Sequence, residues 1–142
     1  MIDLGLEIRT KLKNFYIKKQ FSQIERNIEL HKNLDDLPND IKMLYAVSKS
    51  LNPKSTKKDF IIASYFFEKV FLTNKSNLEP FYNLVFSSIK SAFFDYLEPH
   101  INEQYKKNNK DPKILDGLAK MHTCYGNMVD ASFYYKELIK IK

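Results

Sequence analysis

Apolar and polar residues recur along this chain at spacings of three and four positions over almost its whole length. This spacing places apolar side chains along one face of an α-helix, whereas a half-buried strand would alternate apolar and polar residues. Glycine is rare, and no Asn-Gly or Asp-Gly pair joins two alternating segments as it would in a β-hairpin. The pattern therefore predicts an all-α protein.

Proline residues mark where several of the helices begin. Pro38, Pro80 and Pro112 each stand just ahead of a periodic segment, where a first-turn proline loses no helical hydrogen bond. With these boundaries, the pattern predicts eight helices that form four consecutive pairs. The predicted helices cover residues 3–17, 20–33, 39–51, 58–73, 79–91, 95–108, 112–125 and 128–141.

A period of 34 residues relates the helix pairs to one another. Counting back 34 positions from Ala131 reaches Leu97, and a further 34 reaches Ala63. Each of the three stands on the apolar face of the second helix of its pair. A small residue such as Ala131 on an apolar face indicates a close crossing with another helix. The period predicts one domain over residues 1–142, with repeating units at about 3–36, 39–74, 78–109 and 112–142.

The last unit resembles the tetratricopeptide repeat family, whose unit is a helix-turn-helix of 34 residues. The residues that carry the resemblance are Leu115, Leu118, Ala119, His122, Gly126, Ala131 and Tyr135. Other units depart from the family pattern, because Leu97 replaces the small residue and Ser88 and Leu51 replace the aromatic residue. The resemblance implies an α-solenoid of about four stacked antiparallel helical hairpins, with the first helix of each unit lining a concave groove.

The resemblance also implies which side chains face that groove. These are the residues between the packing positions of the first helices, namely Tyr45, Lys49, Tyr82, Phe86, Lys90, Asp116 and Lys120. Aromatic residues beside lysines suit an extended or helical peptide of acidic and apolar character. The alternative is that Tyr82 and Phe86 pack against neighbouring helices. We therefore expect a noncatalytic protein-protein interaction scaffold.

Charge and cysteine content narrow the choice of partner and compartment. The net charge is +6, yet only Arg9 and Arg26 among the 23 basic residues are arginines. Arginine is preferred for phosphate and base contacts, so the composition argues against nucleic-acid binding. Cys124 is the only cysteine, which favours a reducing, cytoplasmic setting. No apolar stretch approaches the roughly 20 residues of a membrane span.

The sequence contains none of the common catalytic or metal-binding motifs. The chain has no Gly-rich phosphate loop, CxxC, HExxH or GxSxG motif, and its histidines lie at no metal-ligand spacing. We expect no enzyme activity and no cofactor within these residues. Two alternatives stay open. The chain could be the N-terminal helical region of a larger enzyme such as a transferase, or it could bind single-stranded RNA through stacked aromatics and lysines.

The C-terminal helix predicts a contact beyond the hairpin. Ala131, Tyr135 and Leu138 are expected to face their own hairpin. Other faces of this helix retain the apolar residues Phe133, Tyr134, Ile139 and Ile141. Solenoids usually end in a polar capping face, because the last unit has no neighbour to bury it. The helix therefore predicts self-association, or aggregation, through its exposed face.

Overall fold

Eight α-helices make up most of the computed structural model, which describes residues 5–31 and 33–141. Within these residues there is no strand, which confirms the all-α prediction. A single 3-10 turn, Leu34–Asp36, precedes the third helix. The helices are α1 (Leu6–Ile17), α2 (Phe21–Glu29), α3 (Asn39–Leu51), α4 (Lys57–Thr73), α5 (Glu79–Ser91), α6 (Glu98–Lys107), α7 (Pro112–Cys124) and α8 (Met128–Ile141).

Most helix boundaries agree with the sequence prediction to within two residues. The largest differences are that α1 begins at Leu6, that α2 ends at Glu29 and that α6 begins at Glu98. The chain ahead of α6 forms a turn instead, in which the Phe94 carbonyl accepts hydrogen bonds from the N–H groups of Leu97 and Glu98. Predicted helical positions 3, 4 and 32 lie outside the described residues.

The helices pack mainly in chain order. α4 packs most extensively against α5, and α7 contacts α5, α6 and α8. α3 also contacts α5, while α5 and α6 contact each other less than each contacts α7. Fully buried aromatic and aliphatic side chains fill the space between them, including Phe67, Phe71, Phe81, Leu84 and Leu118. None of the helices in the described ranges is long and apolar enough to cross a membrane.

Small residues lie where α7 meets its neighbours. Ala131 of α8 is buried, as are Ala63 and Leu97, the positions related to it by the period.

Gly117 of α7 lies at a close contact with α5 and α6. A Cβ atom built on Gly117 would lie 3.0 Å from a methyl group of Val85 and 3.0 Å from one of Ile101. Gly117 thus allows a close approach, and a side chain at this position would require the Val85 and Ile101 methyl groups to shift.

The prediction for α8 is wrong at two neighbouring aromatic positions, Tyr134 and Tyr135. Tyr134 packs inward, its ring stacked on His122 with centroids 5.6 Å apart and edge-on to Tyr105 at 5.4 Å. Tyr135, predicted to face the hairpin, is 36% exposed. Residues three and four positions after Ala131 flank the same helix face, and the neighbouring aromatics lie on the side of Tyr134.

Several apolar side chains of α8 are exposed, as the sequence predicted for three of them. Exposed on α8 are Met128, Val129, Phe133, Ile139 and Ile141. Exposed apolar side chains on one helix often mark an interaction site. Self-association through this face stays a prediction.

Helices α1, α5 and α7 end in the same way. A residue in the left-handed region follows each of them: Lys19 (φ 58°), Ala92 (φ 55°) and Gly126 (φ 78°). The next N–H then bonds back five residues, as from Phe93 to the Ser88 carbonyl and from Asn127 to the His122 carbonyl. This is the Schellman arrangement, in which glycine normally occupies the left-handed position.

Ala92→Gly is therefore expected to stabilise the protein by about 1 kcal/mol, because an alanine Cβ strains the left-handed conformation. Gly126→Ala is the matched opposite change and should destabilise the protein by about 1 kcal/mol, because it places a Cβ on a left-handed residue. No atom beyond the chain neighbours of Gly126 lies within 4 Å of that Cβ, so the change introduces no clash. Urea unfolding of both variants measures the effect. A loss of stability in Ala92→Gly would contradict the assignment of backbone strain.

Candidate functional site

A groove lies on the surface between α5 and α7, with a volume of about 310 Å³. We call it the α5–α7 groove. Its lining consists of Tyr82, Asn83, Val85, Phe86, Ile89, Lys113 and Asp116. Three of the seven residues that the sequence predicted for a binding surface, Tyr82, Phe86 and Asp116, therefore line one cavity.

The floor of the groove is apolar and partly open. Phe86 is 43% exposed, a large fraction for a phenylalanine beside a packed core. Its ring meets Phe60 of α4 edge-on, with centroids 6.4 Å apart, and the Lys90 ammonium lies 5.6 Å from its centroid. Val85 lies at the base of the groove and is buried. Phe86 thus offers an aromatic face that is fixed in place and accessible.

Charged side chains form the rest of the groove wall. The Tyr82 hydroxyl donates a hydrogen bond to the Asp111 carboxylate, and the Lys113 ammonium lies 4.8 Å from the centroid of the Tyr82 ring. The hydrogen bond to Asp111, together with burial, raises the pKa of Tyr82 to about 12, so this phenol stays protonated at neutral pH. Asp116 pairs with Lys120, one turn along α7, at 3.0 Å. The wall therefore carries both signs of charge.

Tyr45 and Lys49 do not share this surface. Lys49 is only 4% exposed, and its Nζ lies 2.8 Å from Glu25, 3.1 Å from Asp59 and 3.5 Å from Glu29. The Tyr45 hydroxyl, also buried, donates to Glu29 at 2.5 Å. These contacts join α2, α3 and α4, so both residues belong to the packing between helices. Neither residue lines the α5–α7 groove.

The electrostatics of this buried cluster hold Lys49 in its charged form. Burial alone would lower the pKa of Lys49, but its hydrogen bonds to Glu25 and Asp59 outweigh burial and raise the pKa. Burial likewise opposes ionisation of Asp59, yet the Thr56 N–H and the Lys49 ammonium lower the pKa of that carboxyl. The only sequence signal was the spacing of four between Glu25 and Glu29, which places both on one face of α2.

The groove also contains residues that the seven predicted from the sequence did not include. Asn83 and Ile89 line it, and Val85 both packs against the core and forms the base. Lys113 sits at the start of α7, just after Asp111, whose side chain accepts the Lys113 N–H at 2.9 Å. The available sequence signal for Lys113 was its place on the first helix of the last unit, one turn before Asp116, whereas nothing in the sequence marked the neutral positions.

Other chemistry has little support in the part of the chain that the structure describes. Across residues 5–31 and 33–141, no group of His, Cys, Asp and Glu side chains is arranged to hold a metal ion. His100 pairs with Glu68 at 2.7 Å, beside the ring of Phe71, as part of the packing between α4 and α6. Comparisons with protein-family models, curated proteins and solved structures gave no match for this chain.

Proposed function

We propose that this chain is a noncatalytic interaction module that binds a peptide, or an exposed segment of a partner protein, in the α5–α7 groove. The observation that carries the proposal is the accessible Phe86 ring beside Val85, within a cavity about 310 Å³ in volume. Binding hot spots on proteins are commonly aromatic side chains set in pockets that exclude water when occupied. Phe86 has this setting.

The charges at the rim favour a ligand of particular composition. Lys113 and Lys90 each place an ammonium group over an aromatic ring that lines the groove. Ammonium groups at a rim attract acidic partners over long range, whereas the apolar floor supplies the contact area. We therefore propose a partner segment with apolar side chains next to acidic ones.

We also propose that the helix pairs stack as a solenoid of the tetratricopeptide type. The contacts of α3 with α5 and of α5 with α7 support this, because first helices of successive units are neighbours in such a stack. Burial of Ala63, Leu97 and Ala131 at the repeating position supports it too. The third unit departs most from the arrangement, because α5 and α6 contact each other so little. It is also the unit with Leu97 in place of a small residue.

The proposal is tested with fluorescently labelled pools of short peptides that are randomised over Leu, Phe, Asp and Glu. Binding should weaken by about tenfold or more in Phe86→Ala, because truncating an aromatic anchor costs roughly 1.4 kcal/mol or more. Phe133→Ala is the matched control, since Phe133 is 49% exposed on α8 and does not line the groove. Fluorescence polarisation measures both.

Two results would contradict the proposal. One is a failure of the wild-type protein to bind any peptide pool, and the other is an equal loss of binding in Phe86→Ala and Phe133→Ala. Single-stranded RNA serves as a further comparison. For RNA we expect only weak binding that disappears as salt is raised. Tight binding of a defined RNA at physiological salt would favour the RNA alternative instead.

A further inference from the structure

A second cavity lies beyond Tyr82, where the α4–α5 connection meets the end of α6 and the start of α7. Its volume is about 330 Å³, and Tyr82 lines both this cavity and the α5–α7 groove. We call it the Gln104 pocket. A ligand that crosses Tyr82 could therefore occupy both cavities at once.

Gln104 is the residue that sets this pocket apart. It is only 4% exposed, yet among the described residues its side-chain amide has no hydrogen-bond partner. Its polar atoms are not sealed inside the protein, and the side chain lines the cavity. Amides at such positions are almost always hydrogen-bonded, to protein or to water, and the amide of Gln104 finds no partner among the described protein groups. The Gln104 amide is therefore available to a group bound in the pocket.

The charged groups of the pocket favour an anion. Lys75 and Lys107 both line it. Lys107 contacts Glu103 at 3.4 Å, but both side chains are more than half exposed, and such pairs are weak. Asp111 is the one carboxylate in the lining, and it already accepts hydrogen bonds from the Tyr82 hydroxyl and the Lys113 N–H. The lining thus contains two ammonium groups and one carboxylate, and that carboxylate already has hydrogen-bond partners.

The floor of the pocket favours an anion with an aliphatic stem. Leu78 and the buried Ile114 supply the apolar part of the lining. A phosphate ion would leave that apolar surface without a contact, whereas an acidic side chain has methylene groups that can cover it. The volume is also closer to that of a side chain with its backbone than to that of a small ion.

We infer that the Gln104 pocket binds an acidic side chain of the peptide held in the α5–α7 groove. The carboxylate lies between Lys75 and Lys107 and accepts a hydrogen bond from the Gln104 amide, while its methylene groups contact Leu78 and Ile114. This inference rests on the proposed function, because the same peptide crosses Tyr82. The pocket makes the partner selective for an acidic residue next to its apolar anchor.

A small probe tests the pocket without the peptide. N-acetyl-glutamate methylamide is titrated into the labelled protein, and the side-chain NH₂ signal of Gln104 is followed by NMR, with Gln104→Leu used to assign it. We expect a saturable shift in the roughly millimolar range, as befits a single side chain. N-acetyl-glutamine methylamide should cause none. Absence of a saturable shift with the glutamate compound, or tighter binding of inorganic phosphate, would overturn the inference.

Variants that remove the lysine charges provide a second test of the pocket. The double variant Lys75→Gln/Lys107→Gln should abolish the NMR shift of Gln104. It should also abolish the preference of the protein for pools that contain Asp and Glu over pools in which Asn and Gln replace them. Lys57→Gln with Lys58→Gln is the control of equal charge change, because both lysines are exposed and neither lines the pocket. An equal effect of the two double variants would show that only overall charge matters and would overturn the inference.

The two proposals fail in different ways. Phe86→Ala should weaken peptide binding while leaving the shift caused by N-acetyl-glutamate methylamide intact. If the probe binds but no peptide does, the proposed function fails and so does the assignment of the pocket to a peptide side chain. If peptides bind but acidic and amide pools bind equally, the proposed function stands and the pocket inference is wrong.

Discussion

Replacing Lys49 with methionine is expected to destabilise the protein by about 3 to 5 kcal/mol, the range for removing one partner of a buried ion pair. The loss is large because Lys49 is the shared cation for Glu25, Glu29 and Asp59. Methionine fills a similar volume but leaves these carboxylates without a counter-charge. Chemical unfolding at neutral pH measures the effect.

Lys120→Met is the matched control, since Lys120 is also paired on a helix but is partly exposed, with one carboxylate four residues away. That variant should lose no more than about 0.5 kcal/mol. Equal losses in the two variants would contradict the account of the buried cluster.

The destabilisation should also depend on pH. Because the pKa of Asp59 is lowered in the folded protein, its contribution is present above the unfolded pKa of about 3.9 and is lost as pH falls through the folded value. Once Asp59 has bound a proton, it no longer requires the charge of the lysine. The stability difference between wild type and Lys49→Met should therefore shrink as pH falls below about 4. A difference that stays constant would contradict the electrostatic explanation.

Replacing Gly117 with leucine is expected to destabilise the protein by about 3 kcal/mol, the upper end of the usual cost of overpacking. Even a single added carbon would lie 3.0 Å from Val85 and from Ile101, and leucine adds three more. The strain should fall on the contacts of α7 with α5 and α6, and it should displace Val85, which also lines the α5–α7 groove. The variant should therefore also weaken peptide binding.

Two comparisons separate overpacking from a general effect of leucine in this helix. Thr123→Leu, at an exposed position of α7, should change stability by less than about 0.5 kcal/mol. Adding Val85→Ala to Gly117→Leu should recover part of the lost stability, since residues in contact are not additive. No recovery would show that the contact with Val85 is not the source of the loss.

Local signals in the sequence were enough to locate the helices. The predicted ranges 39–51 and 79–91 coincide with α3 and α5, because Pro38 and Pro80 fix where each begins. The period of 34 also identified buried positions, as at Ala63 and Ala131. Both kinds of signal depend on residues close together in the chain or on a repeated spacing.

What the sequence could not predict depends on contacts between distant residues. Tyr45 and Tyr82 hold the same place in their units, and the hydroxyl of each donates to a carboxylate. Tyr45 is nevertheless buried, because the preceding helix α2 brings Glu29 against it. Tyr82 instead bonds to Asp111, the residue that caps the start of α7, and lines the groove. A repeated spacing predicts the same environment for both residues and therefore cannot separate them.

Gln104 is a second residue whose role the sequence could not predict. On α6 it lies between the buried Ile101 and the exposed Lys107, a position where a polar residue carries no particular signal. Its importance follows from the cavity that the α4–α5 connection and the start of α7 form around it. Only the three-dimensional arrangement brings Lys75 to the same cavity as Lys107.

The most direct test of the central claim is to map where the acidic and apolar peptide pool binds, by following backbone amide shifts in an NMR titration of the wild-type protein. The account predicts that the largest changes fall on α5 from Tyr82 to Ile89 and on the first half of α7, around Lys113 and Asp116. Largest changes on the exposed apolar residues of α8 instead, with α5 and α7 unaffected, would contradict it.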